Sequence, residues 1–172
     1  LSARGIEAVC LAGAIRRPPI DPGAVDAATL PLVPRLAAVM GQGDDALLRT
    51  VIGLFEEAGL RVRGAHEVAP SLLPEPGVLT PVTPEAHHQS DLARAVDIVA
   101  ALGAADIGQA CVAHRGQAIA LEGLFGTDWM LRSLKTRPDG TGGLLYKAPK
   151  PGQDRRVDLP TIGPDTVLAA AE

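Results

Sequence analysis

Apolar residues recur along this chain in two rhythms, short unbroken runs and helical spacings, separated by glycine and proline. Glu7 to Ala12 (EAVCLA) is a short apolar run closed by Gly13, the pattern of a buried strand that opens onto a ligand-facing loop in an α/β sheet. That loop, residues 13–19, carries Arg16 and Arg17. Pro31 to Met40 has apolar residues at helical spacing and is ended by the glycines at 41 and 43. A second helix is expected at once: Asp44 is placed to cap it and Asp45 suits the positive end of its dipole. Leu47, Leu48, Val51, Ile52, Leu54 and Phe55 give that helix a wide apolar face. Gly59 is its expected stop, and Leu60 to Gly64 reads as a strand.

Between Pro70 and Pro84 five prolines interrupt every period, so neither a helix nor a central strand can continue there, and a domain boundary is expected. Thr83 then caps a helix with Pro84 at its first position, running to about Leu102 before Gly103. Ile107 to Ala113 and Gln117 to Glu122, separated by His114-Arg115-Gly116, predict a hairpin. Thr127 or Asp128 caps a short helix to about Leu134; a turn-rich loop from Thr136 to Gly143 and a strand from Gly143 to Lys147 follow. A last helix is expected from Pro164 to Glu172. No internal repeat is evident. The first strand arrives without partner strands before it and the last helix ends without a cap, so the chain is expected to be a fragment.

Composition narrows the classes. With 172 residues, 47% of them apolar, the chain can bury a core in one medium domain or parts of two. A net charge of −4 and only four aromatic residues argue against nucleic acid as a partner, since neither backbone attraction nor stacking platforms are supplied. No apolar run is long enough to span a bilayer. Cys10 and Cys111 lie apart inside apolar runs, with no CxxC pattern, and are expected to be buried free thiols in a reducing compartment.

The densest candidate chemistry is KAPKPGQDRRVDLPTIG, from Lys147 to Gly163. Lys147, Lys150, Arg155 and Arg156 can neutralise phosphate oxygens, and Asp154 and Asp158 are hard oxygen ligands of the kind Mg²⁺ prefers. Proline and glycine at this density make the segment a shaped loop; by its chemistry alone it is equally a solvated linker. The run Glu122 to Asp128 sets a carboxylate at a strand end and a hydroxyl at a helix start, an arrangement that could approach a phosphate or serve as an ordinary turn. His66 follows a strand, where α/β proteins bind ligands, although a structural role explains it better, and His87 and His88 read as solvent-facing. Gln109 could bind a ligand or close a hairpin. GxxxxGK[ST], GxGxxG, GxSxG and HExxH are all absent, which removes the usual support for the chemistries they carry.

Taken in order, RRPPI, GDDALLRTVIGLFEEAGLRVRGAHEV, LGAADIGQACV, LEGLFGTDWMLRS and KAPKPGQDRRVDLPTIG resemble the LpxI family, bacterial UDP-2,3-diacylglucosamine pyrophosphatases of lipid A synthesis. The resemblance covers nearly the whole chain, and its last motif is the most specific. It implies a fragment of a two-domain α/β protein: residues 1–76 from a Rossmann-like N-terminal domain and 77–172 from a smaller C-terminal catalytic domain, with the lipid between them. It further implies Mg²⁺-dependent attack of water on the α-phosphorus, releasing UMP and 2,3-diacylglucosamine 1-phosphate.

The family's catalytic aspartate carries onto Asp158, as metal ligand or water-orienting base, with Asp154 as a second metal ligand. Lys147, Lys150, Gln153 and Arg156 would hold phosphate, with Thr127 and Asp128 completing the pocket. The partner so implied is a UDP-linked diacylated glucosamine lipid, met by a cytoplasmic protein in transient contact with the inner face of the inner membrane; a homodimer is compatible with this. Trp129 stands where the family motif has a smaller residue, so the pocket wall is expected to be bulkier. The alternative reading is a sugar-nucleotide or lipid binding module of the same fold without turnover.

Overall fold

A computed structural model describes residues 1–13 and 21–172. The loop expected to carry Arg16 and Arg17, and the RRPPI motif, lie outside the described residues, as does the side chain of Asp44. The chain forms two compact α/β units. The first comprises Leu1–Pro74 and Asp154–Asp158, the second Glu75–Gln153 and Leu159–Glu172.

In the first unit, strands β1 (Ala8–Cys10) and β2 (Arg61–Arg63) pair in parallel, with Val9 opposite Val62. Parallel strands need a crossover, supplied by helices α1 (Val33–Val39) and α2 (Asp44–Glu57). The expected helix from Pro31 is shorter, because Pro31 and Pro34 fall in a 3₁₀ turn, Leu30–Leu32, and the opening of α1. The cap of α2 also differs: Gly43 occupies that position and Asp44 is already helical. Gly59 ends α2 as expected; at φ +78° it lets the amide of Leu60 reach the carbonyl of Phe55 at 3.0 Å. Alternation in β2 buries Val62 and exposes both flanking arginines. Cys10 is exposed, contrary to expectation, since β1 is only three residues long and Cys10 is its last. His66 sits in a one-turn helix, α3 (Ala65–Val68), with Nδ1 buried and without a hydrogen-bond partner among the described residues.

The second unit holds a three-stranded antiparallel sheet, order β4-β3-β5, built from β3 (Ala110–His114), β4 (Gln117–Leu121) and β5 (Leu144–Lys147). The central strand β3 is buried on both faces. Cys111 and Ala113 pack with Ala95 and Val99 of α4 (Ala86–Ala104), while Ala110 and Val112 pack with Met130 and Leu131 of α5 (Gly126–Ser133). Helix α6 (Pro164–Ala171) joins the second layer through Ala169. Burial raises the Cys111 thiol to about 11, as suits an inert core thiol.

Two expected caps move. Helix α4 starts after Glu85, whose amide donates to His88 Nδ1 at 2.9 Å, so His88 is a half-buried capping residue. Thr127 and Asp128 lie within the first turn of α5, which begins at Gly126. Strand β3 begins at Ala110, later than predicted, because the residues before it terminate α4.

The β3–β4 hairpin turns on Arg115 and Gly116, both at positive φ (51° and 74°), the twist that matches the flanking strands. Asp91 of α4, only 3% exposed, accepts from the Gly116 amide at 2.7 Å and ties the turn to the helix. Asp91→Ala leaves that amide without its acceptor and is expected to destabilise the second unit by about 1–3 kcal/mol in urea unfolding. Asp91→Asn, which retains an acceptor, should cost clearly less; equal losses would show that the hydrogen bond is not what Asp91 supplies.

Candidate functional site

In the second unit, a chain of polar contacts runs along the edge where α4 ends and β3 begins. The last turn of α4 closes with the amide of Ile107 on the carbonyl of Leu102 at 3.0 Å, which puts Asp106 at φ +50°, a position usually given to glycine. Its carboxylate forms an ion pair with the ammonium of Lys150, which is 8% exposed. The Lys150 amide donates to Gln153 Oε1 at 2.8 Å, and Gln153 Nε2 donates to Gln109 Oε1 at 3.3 Å. The Gln109 amide donates to Glu122 Oε2 at 2.8 Å, and the other oxygen of Glu122 accepts from the Thr127 hydroxyl. Thr127 Oγ1 in turn accepts from Lys147 Nζ at 2.8 Å.

Two glycines make these approaches possible. A Cβ on Gly103 would stand 2.9 Å from Pro151 Cδ and 3.3 Å from Lys150 Cα, so its absence lets the charged segment lie on the end of α4. At Gly108 a Cβ would meet the backbone of Glu122, with its carbonyl carbon at 2.9 Å. The motif LGAADIGQ is therefore spaced by close packing at both glycines.

Five candidate residues belong to this unit. Lys147, Lys150, Gln153 and Thr127 join one network; Asp128 is exposed on α5 and stays outside it. Lys150 and Gln153 are buried and committed to protein partners, and Thr127 is engaged from both sides. Lys147 differs: half-buried, it leans on a neutral hydroxyl and forms no ion pair among the described residues, so its charge can serve a ligand.

The other three, Asp154, Arg156 and Asp158, belong to the first unit. Arg156 grips Asp154 with two nitrogens, Nε to Oδ1 at 3.0 Å and Nη2 to Oδ2 at 2.7 Å, and reaches Glu56 of α2 with Nη1 at 2.7 Å. Hydrogen bonding from Arg156 holds the Asp154 carboxyl below its ordinary value, while Asp154 and then Glu56 raise the guanidinium. Beside this cluster lies an open cleft of about 580 Å³ that includes Arg61, Arg63 and Glu67. The Asp158 amide points to the Asp154 carbonyl at 3.4 Å.

Among the described residues no three His, Cys, Asp or Glu side chains converge as a ready-made metal centre. Mg²⁺ does not require one, since it is commonly held by one or two carboxylates with water and substrate phosphate. Both oxygens of Asp154 already accept from Arg156.

Residues 1–72 match the LpxI N-terminal domain, and residues 75–172 match the LpxI C-terminal domain. The chain belongs to the LpxI family. It is 41% identical, over 178 aligned positions, to the UDP-2,3-diacylglucosamine pyrophosphatase LpxI of Caulobacter vibrioides, an alignment that takes in 99% of this chain and 64% of that protein. The chain thus spans less than two thirds of its relative's length. The break between the two family matches falls where the structure divides, at Pro74. Sequence reasoning missed Asp106 and Glu56; their partners lie 44 and 100 residues away, beyond the reach of any local spacing.

Two outcomes test these contacts. Glu122→Ala strips acceptors from the Gln109 amide and the Thr127 hydroxyl together, and should lower the unfolding free energy of the second unit by about 2 kcal/mol or more. Because the Asp154 carboxyl is depressed in the folded chain, its stabilising contact is present above the ordinary value of 3.8 and lost as pH falls through the lower folded value. Hydrogen exchange at the Arg156 amide, which donates to Asp154 Oδ1 at 3.1 Å, should stay protected down to about pH 4 and open only in more acidic solution.

Proposed function

We propose that the protein hydrolyses the pyrophosphate of UDP-2,3-diacylglucosamine, with water attacking the α-phosphorus to give UMP and 2,3-diacylglucosamine 1-phosphate. The observation that carries this reading is the pair of family matches running through the Lys147–Gly163 segment, joined to a half-buried lysine that forms no ion pair among the described residues. Membership supports a Rossmann-like character for the first unit, whose parallel strand pair and helical crossover are compatible with it.

Two linked phosphates present charge that must be offset before a nucleophile can approach. Lys147 is the residue we assign to a phosphate oxygen; Thr127 holds its Nζ, and Glu122 holds Thr127. Lys150 and Gln153, buried and paired, shape the loop from within and act on the ligand through its backbone. Arg156 keeps Asp154 and Glu56 in place, and so orients the segment that carries Asp158. Asp158 accepts a proton from the attacking water or orients it. Mg²⁺, which Asp158 would hold, supplies charge neutralisation and lowers the pKa of bound water. Asp128, exposed on α5, is left to the edge of the ligand.

The substrate class brings the inner face of the inner membrane into the reading as the place where a cytoplasmic protein would meet its lipid. No described helix is long and apolar enough to cross a membrane.

Release of UMP from UDP-2,3-diacylglucosamine, followed with and without chelator, tests the reading. Asp158→Ala should lower kcat by 10² or more with the fold intact, and Lys147→Ala should raise KM more than it lowers kcat. Undiminished release by Asp158→Ala overturns the assignment; firm retention of lipid without release by the wild type supports the binding-module alternative.

A further inference from the structure

The chain has four aromatic residues, and two of them, Phe125 and its single tryptophan, Trp129, stand side by side on the surface with ring centroids 5.4 Å apart. Phe125 is 68% exposed and Trp129 51%; Leu124 beside them is 88% exposed and Leu121, at the end of the edge strand β4, 48%. Leu124 and Phe125 are framed by Gly123 and Gly126, the latter at φ +75°, so the two side chains are carried on the tip of a tight turn. Helix α5 then divides by face. Thr127, Met130 and Leu131 are buried, while Asp128, Trp129 and Arg132 face outward.

We propose that this tip, Leu121, Leu124, Phe125 and Trp129, is the surface by which the protein enters the interfacial layer of a lipid bilayer. The proposal rests on the functional reading above for the lipid pyrophosphate at Lys147, and adds where the bilayer is met. Exposed tryptophan and phenylalanine beside leucine are the side chains that settle at the boundary between headgroups and acyl chains. Thr127 lies between Phe125 and Trp129 in the chain and points the other way, inward, where it holds Lys147 Nζ at 2.8 Å. One turn of helix therefore joins a lipid-seeking surface to the cation assigned to phosphate. Arg132, three residues beyond Trp129, offers charge to anionic headgroups, and Asp128 is the one acid on that outward face.

A second copy or another protein fits the patch less well. It consists of four exposed apolar side chains, whereas a stable protein interface engages about 20–30 residues a side.

Because Trp129 is the single tryptophan, intrinsic emission reports on this position alone. With vesicles of phosphatidylethanolamine and phosphatidylglycerol, emission should shift to the blue, and vesicles with brominated acyl chains should quench it. Leu124→Ser and Phe125→Ser should each weaken vesicle co-sedimentation by about tenfold, with circular dichroism unchanged. No vesicle binding, binding with unshifted emission, or a blue shift that grows with protein concentration in the absence of lipid would each overturn the proposal. A shift with detergent-dispersed substrate but not with vesicles also overturns it, by assigning the tip to the substrate's own chains. UMP release measured on the same preparation keeps the two readings apart. Release without vesicle binding sinks only the docking surface; vesicle binding without release sinks only the hydrolase.

Discussion

Strand β3 admits no polar side chain along its middle, and the second unit is arranged around that restriction. Ala110 to Ala113 are buried on both faces, so α4 must cover one side and α5 with α6 the other. A strand sealed in this way leaves chemistry only its ends. At one end the turn at Arg115 and Gly116 is held by Asp91; at the other, Gln109 passes its amide to Glu122 and its side chain to Gln153. The polar network that contains Lys147 lies at that second end because the core excludes it from anywhere else.

Buried polar groups are tolerable only when they are satisfied, and that requirement accounts for the crowding around Glu122. Each carboxylate oxygen takes one donor, and those donors come from Gln109, just before β3, and from α5, with β5 reached through Thr127 and Lys147. Gly103 and Gly108 provide the backbone clearance that brings the partners within reach. The same logic separates the basic residues of the charged segment. Lys150 is sunk against Asp106, and Arg156 is shared between Asp154 and Glu56, while Lys147 forms no ion pair among the described residues. Residues that look equivalent in a list of lysines and arginines therefore have different chemistry.

Much of the architecture was legible before any coordinates. The hairpin around Arg115-Gly116, the stop at Gly59, and the α4 and α5 helices follow from period and punctuation, signals confined to a few neighbouring residues, although α4 runs through Gly103 to Ala104. Boundaries and caps were less so. Gly43 rather than Asp44 precedes α2, Glu85 with His88 opens α4, and Cys10 is exposed, because each depends on where the chain bends next and what then covers it. Of the candidate residues, Thr127, Lys147, Lys150 and Gln153 lie in one network of polar contacts in the second unit, whereas the half-buried partner Asp106 carried no local signal at all.

By itself the sequence determined the order and type of the main elements and the family, since periodicity and ordered motifs are written in adjacent residues. Tertiary structure alone decided which charges remain available. Pairings such as Lys150 with Asp106, or Arg156 with Glu56, join residues far apart in the chain, and whether a charge is offset depends on distance in space. Folding likewise turned Phe125 and Trp129 outward and Thr127 inward on a single turn of helix, a division set by which face of α5 meets β3.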